Sequence, residues 1–256
     1  IAPLVALVPD AFSGGGAAFG ALARDGLFLQ AARNSALLGL TAGAVSALAG
    51  TVIAMELARQ PPHRRQWMMT LLGLPLAFSG LVIAYGFILA FGRAGFVTQL
   101  LGFAGADTAR VGSWIYSVFG LAFAYCYYLI PRVALTLYPV FANLDPAPQI
   151  AARTLGATRW RAFVHTVVPE VAPSVLASAC QVAALAMGTY GTALALAGTQ
   201  LNILPLLLFA KVGDGGADFA GAAAMSLLLM ALCVLTLGAG DAVTRKREQQ
   251  LAADGH

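Results

Sequence analysis

Long apolar stretches separated by short polar ones run through most of this chain. Uncharged runs long enough to cross a membrane occur at Asn34–Met55, Gln66–Gly92, Val111–Pro131, Val171–Ala210 and Phe219–Gly240. A helix needs about 20 such residues to cover a ~30 Å hydrocarbon core. The fourth run is too long for one crossing. It reads as a span to about Gly198, followed by an extracytoplasmic connection around Gln200–Pro205. Ile1–Pro9 reads as the tail of a further span, which brings the expected number to six. A membrane barrel would need ~10-residue segments of alternating polarity, and the runs do not alternate. The pattern predicts an all-α, polytopic transmembrane helical bundle of about six spans, the first truncated, in a single domain over 1–256.

One stretch departs from that pattern. Residues 145–173 carry Asp145, Arg153, Arg159, Arg161, His165 and Glu170 among alanines and prolines. Asp145 is placed to cap a helix with Pro146 at its first position. That helix should run about ten residues to Leu155, with Gly156 as a left-handed terminator. Thr158 can cap a second helix, in which Trp160, Phe163, Val164 and Val167 share a face that Arg159, Arg161 and His165 avoid. Pro169 and Pro173 should then bend the chain before the next span. Ala151 and Ala152 are small enough for another surface to come close to the backbone. By itself this pattern also fits a capped amphipathic hairpin lying on a membrane.

Composition agrees with membrane insertion. Of 256 residues, 59% are hydrophobic and 10% charged, against about 25% charged in soluble domains. The net charge of +4 sits between apolar spans, which gives no reason to expect a nucleic-acid partner. Lys and Arg divide unequally between the two sides. Arg59, Arg64, Arg65, Arg132, Arg153, Arg159, Arg161, Arg245, Lys246 and Arg247 fall on one; Arg24, Arg33, Arg93, Arg110 and Lys211 fall on the other. The positive-inside bias puts the 132–170 loop and the C-terminus in the cytoplasm, with Arg132 snorkelling at the end of its helix. Cys126, Cys180 and Cys233 lie in apolar runs without metal-ligand spacing and read as packing residues.

The loop resembles the cytoplasmic loop of the permease subunits of type I bacterial ABC importers. There the pattern is Glu-Ala-Ala, three residues, Gly, and Leu-Pro further on. Ala151 and Ala152 match the alanines, Gly156 the glycine and Pro169 the proline; Ile150, beside Gln149, stands where the glutamate would be. Gly156 lies 100 residues before the C-terminus, as in that group. Gly188-Thr189-Tyr190-Gly191 resembles the Gly-Glu-Phe-Gly segment in the fifth span of permeases for polyamines, ferric iron, sulfate, thiamine and phosphonates, with Thr189 in place of the glutamate. Gly188 and Gly191 also suit close helix packing.

The resemblance implies the type I permease fold in a bacterial inner (plasma) membrane. It implies two cytoplasmic ABC ATPases, a second permease copy or homologue, and a periplasmic or lipid-anchored solute-binding protein. ATP and Mg would be bound by the ATPase, with no cofactor in this chain. It assigns ATPase coupling to Gln149, Ile150, Ala151, Ala152, Arg153, Leu155, Gly156, Ala157, Trp160, Phe163 and Pro169. It assigns the gate to Met187, Gly188, Thr189, Tyr190 and Gly191. Cargo choice would rest largely with the binding protein.

Other features point the same way. The span interiors contain no carboxylate, Lys or His, which ion-coupled carriers usually place there. No Gly-x-x-x-x-Gly-Lys-[Ser/Thr] and no His-Glu-x-x-His occur. Ser79 has no span histidine to activate it, so it reads as a packing or helix-bonding residue rather than a nucleophile. The chain is therefore expected not to be an enzyme. A stand-alone carrier or channel, or a scaffold that only docks a partner, remain the alternatives.

Overall fold

The computed structural model describes residues 9, 11–12, 17–197, 201–213 and 219–254. All its regular elements are helices: α1 (Ala17–Arg24), α2 (Gly26–Arg59), α3 (Pro62–Ala77), α4 (Gly80–Phe91), α5 (Phe96–Phe103), α6 (Thr108–Trp114), α7 (Val118–Ala142), α8 (Ala147–Thr154), α9 (Arg159–Ala162), a π-helical turn (Phe163–Val167), α10 (Val168–Gly188), α11 (Gly191–Ala197), α12 (Leu204–Gly213) and α13 (Phe219–Asp254). Among the described residues, five stretches are long and apolar enough to cross a membrane: Gly26–Arg59, Gly80–Phe103, Val118–Ala142, Arg159–Gly188 and Phe219–Thr244. The expected truncated span at Ile1–Pro9 lies almost wholly outside the described residues, as does Gln200 of the expected connection.

Three expectations about the spans are corrected. The Gln66–Gly92 run is two helices rather than one, because Ser79 takes an extended backbone and caps α4, accepting from the Val82 amide at 3.5 Å. The third span begins at Val118, after a break at Ile115–Ser117 that follows α6. It then runs past Arg132 to Ala142, with Pro131 and Pro139 inside the helix. Arg132 is therefore within the helix rather than at its end, and only the stretch after Ala142 is loop.

The chain forms two compact units. The first comprises residues 1–42, 78–127 and 183–235. Its core includes Leu22, Phe28, Ala31, Leu204, Ala224 and Met225. Here α2 anchors the start of α12: Ser35 Oγ accepts from the Leu204 amide at 2.9 Å, and Asn34 Nδ2 donates to the Asn202 carbonyl at 2.9 Å. With ten residues, α12 is about 15 Å long and too short to span. The second unit comprises residues 43–77, 128–182 and 236–256. Within it α2 and α7 touch at Gly50, where an added Cβ would lie 2.6 Å from Val133 Cβ. Leu57, Leu129, Val133 and Leu137 are buried in this unit.

Candidate functional site

The basic loop belongs to the second unit and folds as two short helices around a tight turn. Asp145 Oδ1 accepts from the Ala147 amide at 2.9 Å, so it does cap the chain. The helix starts one residue later than expected, with Pro146 at the cap position, and runs eight residues, about 12 Å. It ends because Gly156 adopts φ +93°. The Ala157 amide then reaches back to the Ala152 carbonyl at 3.1 Å, and the Gly156 amide to Arg153 at 3.1 Å. This is the Schellman pattern, which satisfies carbonyls that a helix end leaves open. Thr158 Oγ1 accepts from the Arg161 amide at 3.3 Å and starts α9.

Beyond α9 the structure departs from the sequence expectation. Pro169 and Pro173 do not end the helix before the span; residues 159–188 are helical throughout. The π-turn explains this. The Val168 amide bonds the Phe163 carbonyl five residues back, so the lost Pro169 donor is absorbed by a local change of register. Thr166 Oγ1 also donates to the Ala162 carbonyl at 2.7 Å. The second loop helix and the following span are thus one mechanical piece.

The predicted loop residues fall into an inner and an outer set. Gln149, Ala152, Ala157 and Phe163 are half-buried. Ala151, Arg153, Gly156 and Pro169 are exposed. So are three large apolar side chains, Ile150 (57%), Leu155 (88%) and Trp160 (72%). Trp160 and Phe163 stack with ring centres 6.0 Å apart, yet Trp160 is not on a buried face as its periodicity suggested.

The predicted gate residues sit in the first unit, at a break between α10 and α11. Thr189 and Tyr190 leave the helix. Polar backbone freed in a membrane must find a partner, and three are present. Tyr125 Oη donates to the Thr189 carbonyl at 2.9 Å, the Leu194 amide donates to the Tyr190 carbonyl at 2.9 Å, and Thr189 Oγ1 donates to the Leu185 carbonyl at 2.7 Å. The Tyr190 ring lies 4.9 Å from that of Phe209. Met187 is buried against Gly39, where a Cβ would come within 2.5 Å of its side chain. Close packing does not explain Gly188 and Gly191, since a Cβ at either meets nothing within 4 Å.

Sequence reading passed over three residues here. Tyr125 is fully buried in α7; the signal was a tyrosine in an apolar run, because a buried phenol seeks a partner. Gly39 gave no signal among so many small residues. Thr192 is fully buried, and among the described residues its hydroxyl has no hydrogen-bond partner. Among the described residues the three cysteines form no disulfide, and no group of His, Cys, Asp or Glu could hold a metal ion.

Residues 17–249 match the family described as "Binding-protein-dependent transport system inner membrane component". The chain belongs to this family. Among its relatives, sulfate permease 2 of the Chlamydomonas reinhardtii chloroplast is 30% identical over 94% of the chain and 65% of the relative's length. The chain thus spans somewhat under two thirds of that algal protein. The sulfate transport system permease protein CysW of Synechocystis is 28% identical over 92% of the chain and 84% of its own length. A solved bacterial alginate ABC transporter, in complex with an alginate-bound periplasmic protein, shares the fold, with a TM-score of 0.70 at 16% identity over 95% of this chain and 88% of that one. These permeases are transport components, and the five apolar stretches agree with a multi-pass inner-membrane protein.

Proposed function

We propose that this chain is the transmembrane permease subunit of an ATP-driven, binding-protein-dependent importer, coupled to its ATPase through α8. The observation that carries this reading is the rigid presentation of α8. It is capped at its start by Asp145, closed at its end by the Gly156 turn, and joined through Thr158 to a helix that continues into a span. Exposed Leu155 offers apolar contact on its outer side. A cytosolic ATPase that gripped α8 and moved on closing would pull on the 159–188 helix directly. ATP and Mg belong to that partner, and a second permease subunit completes the pathway. The break at Thr189-Tyr190 directly follows that helix and is the gate. Physically the bundle is a two-state element, biased by whichever state the partner binds better. The positive-inside bias puts α8 and the C-terminus in the cytoplasm.

The sulfate-permease relatives support a tetrahedral oxyanion of the sulfate class as cargo. The gate segment offers hydroxyl and backbone groups and no carboxylate to repel an anion.

Reconstitution tests both parts. Proteoliposomes holding the permease, its ATPase and its binding protein should take up radiolabelled sulfate only with ATP inside and binding protein outside. Ala152→Arg, which puts a long charged chain on the half-buried side of α8, should abolish uptake and weaken ATPase co-purification while the protein still inserts. Uptake by the chain alone, without ATP, would overturn the reading in favour of a stand-alone carrier.

A further inference from the structure

A cavity of about 650 Å³ lies behind α8, between it, the end of α2 and the start of the 159–188 helix. Arg59, Arg153 and Arg159 line it, with Gln149, Met55 and Trp160. Three guanidinium groups around one space is an unusual concentration in a chain with 15 basic residues over its whole length.

Among the described residues, only one of the three has a carboxylate partner. Glu56 pairs with Arg59 alone, at 3.8 Å across an exposed surface. Asp145, in the adjoining cavity, accepts from the Ala147 amide. Among the described residues, Arg153 and Arg159 make no ion pair. The cavity also lies away from the outer side of α8. At 100° per residue, Gln149, Arg153 and Ile150 turn toward it, while Ala147, Ala151 and Leu155 occupy the opposite side. A partner gripping that outer side leaves the cavity open.

Its position and lining narrow the occupant. Met55 closes the apolar run of α2 and Arg59 ends the helix, so the cavity sits where hydrocarbon gives way to headgroups. Trp160 stacked on Phe163 is the aromatic pair expected at that depth. Basic groups beside apolar ones at a membrane surface suit a phosphate carried on a lipid.

We propose that this cavity binds the phosphate headgroup of an anionic membrane lipid. Arg153 and Arg159 contact the phosphate, and the glycerol end lies against Met55 and the Trp160–Phe163 pair. The lipid would brace α8 against the end of α2. The proposal is independent of the ATPase reading, because it is tested on the purified chain alone.

The test is native mass spectrometry of the detergent-purified chain titrated with phosphatidylglycerol or phosphatidylcholine. The chain should retain one phosphatidylglycerol in preference to phosphatidylcholine. Arg153→Gln with Arg159→Gln should weaken that binding roughly thirty-fold, about fivefold for each arginine. Arg153→Lys with Arg159→Lys should keep most of it. Equal retention of phosphatidylcholine by the unmodified chain overturns the proposal, whether or not the variants fold. So does undiminished binding in a glutamine pair that melts normally. Displacement by millimolar inorganic phosphate would make the site one for a free anion. Displacement on adding the partner ATPase would make it a seat for an acidic protein segment. Either result also overturns the lipid assignment.

Discussion

Replacing Gly156 with alanine isolates the contribution of a single backbone angle. Gly156 sits at φ +93°, and a Cβ there would meet nothing within 4 Å. The whole cost of Gly156→Ala is therefore conformational, about 1–2 kcal/mol for an L-residue forced into this region. At 1.4 kcal/mol per tenfold, the closed turn loses roughly five- to thirtyfold in population against open alternatives. The bond from the Ala157 amide to the Ala152 carbonyl, 3.1 Å in the closed turn, reports on that population directly. Its amide should exchange with solvent five to thirty times faster in the alanine variant, while amides of buried α7 residues such as Leu129 keep their rates. Gly156→Asn should lie between, because asparagine tolerates positive φ better than alanine. If α8 is the handle, ATP-driven uptake should fall in the same order, glycine above asparagine above alanine. An Ala157 amide exchanging at its original rate in Gly156→Ala would refute the reasoning, since the angle would then carry no constraint.

Three other predictions concern the spans. Thermal unfolding in detergent should rank three glycine-to-alanine changes. Gly50→Ala loses most, about 1–3 kcal/mol, because it meets the stiff Val133 as well as the Ile130 carbonyl; Gly39→Ala loses less, because beside the Ala183 carbonyl it meets the flexible Met187 side chain, which can move; Gly188→Ala is near neutral. A reversed ranking means that the helices do not approach at those points. Thr192→Val, which swaps a buried hydroxyl without a partner for a methyl of similar shape, should leave the melting temperature unchanged or raise it; a clear drop would reveal a partner for that hydroxyl. Tyr125→Phe should cost about 1–3 kcal/mol by stranding the Thr189 carbonyl, and a melting curve like the parent's would show that the break needs no such support.

The parts of this architecture that depend on local chemistry were legible in the residues. Apolar run lengths located the spans, and the Asp145, Gly156 and Thr158 punctuation located the loop helices, because caps and left-handed turns use few residue types. What escaped was set by contacts distant in sequence or by backbone register. Ser79 divides one apolar run into two helices, which hydropathy does not register. Tyr125 and Thr189 are 64 residues apart, and nothing local links them. Prolines at 169 and 173 predicted a bend because each removes a donor, but a π-turn before the first of them let the helix continue. Trp160 matched an apolar face by period, yet Phe163, Val164 and Val167 are covered while the ring of Trp160 stays exposed.

That π-turn gives segment length a tolerance. A π-turn holds one residue more than the α-helix it interrupts and takes up that residue by widening locally. Removing a single residue from Phe163–Val167 would return the segment to α register and leave Trp160 and everything before it in nearly the same phase on the span. In a purely α-helical segment the same deletion would turn α8 by about 100°. The wide turn therefore acts as slack in the linkage. Two permeases of this family that differ by one residue here would still offer the same side of the handle to the partner.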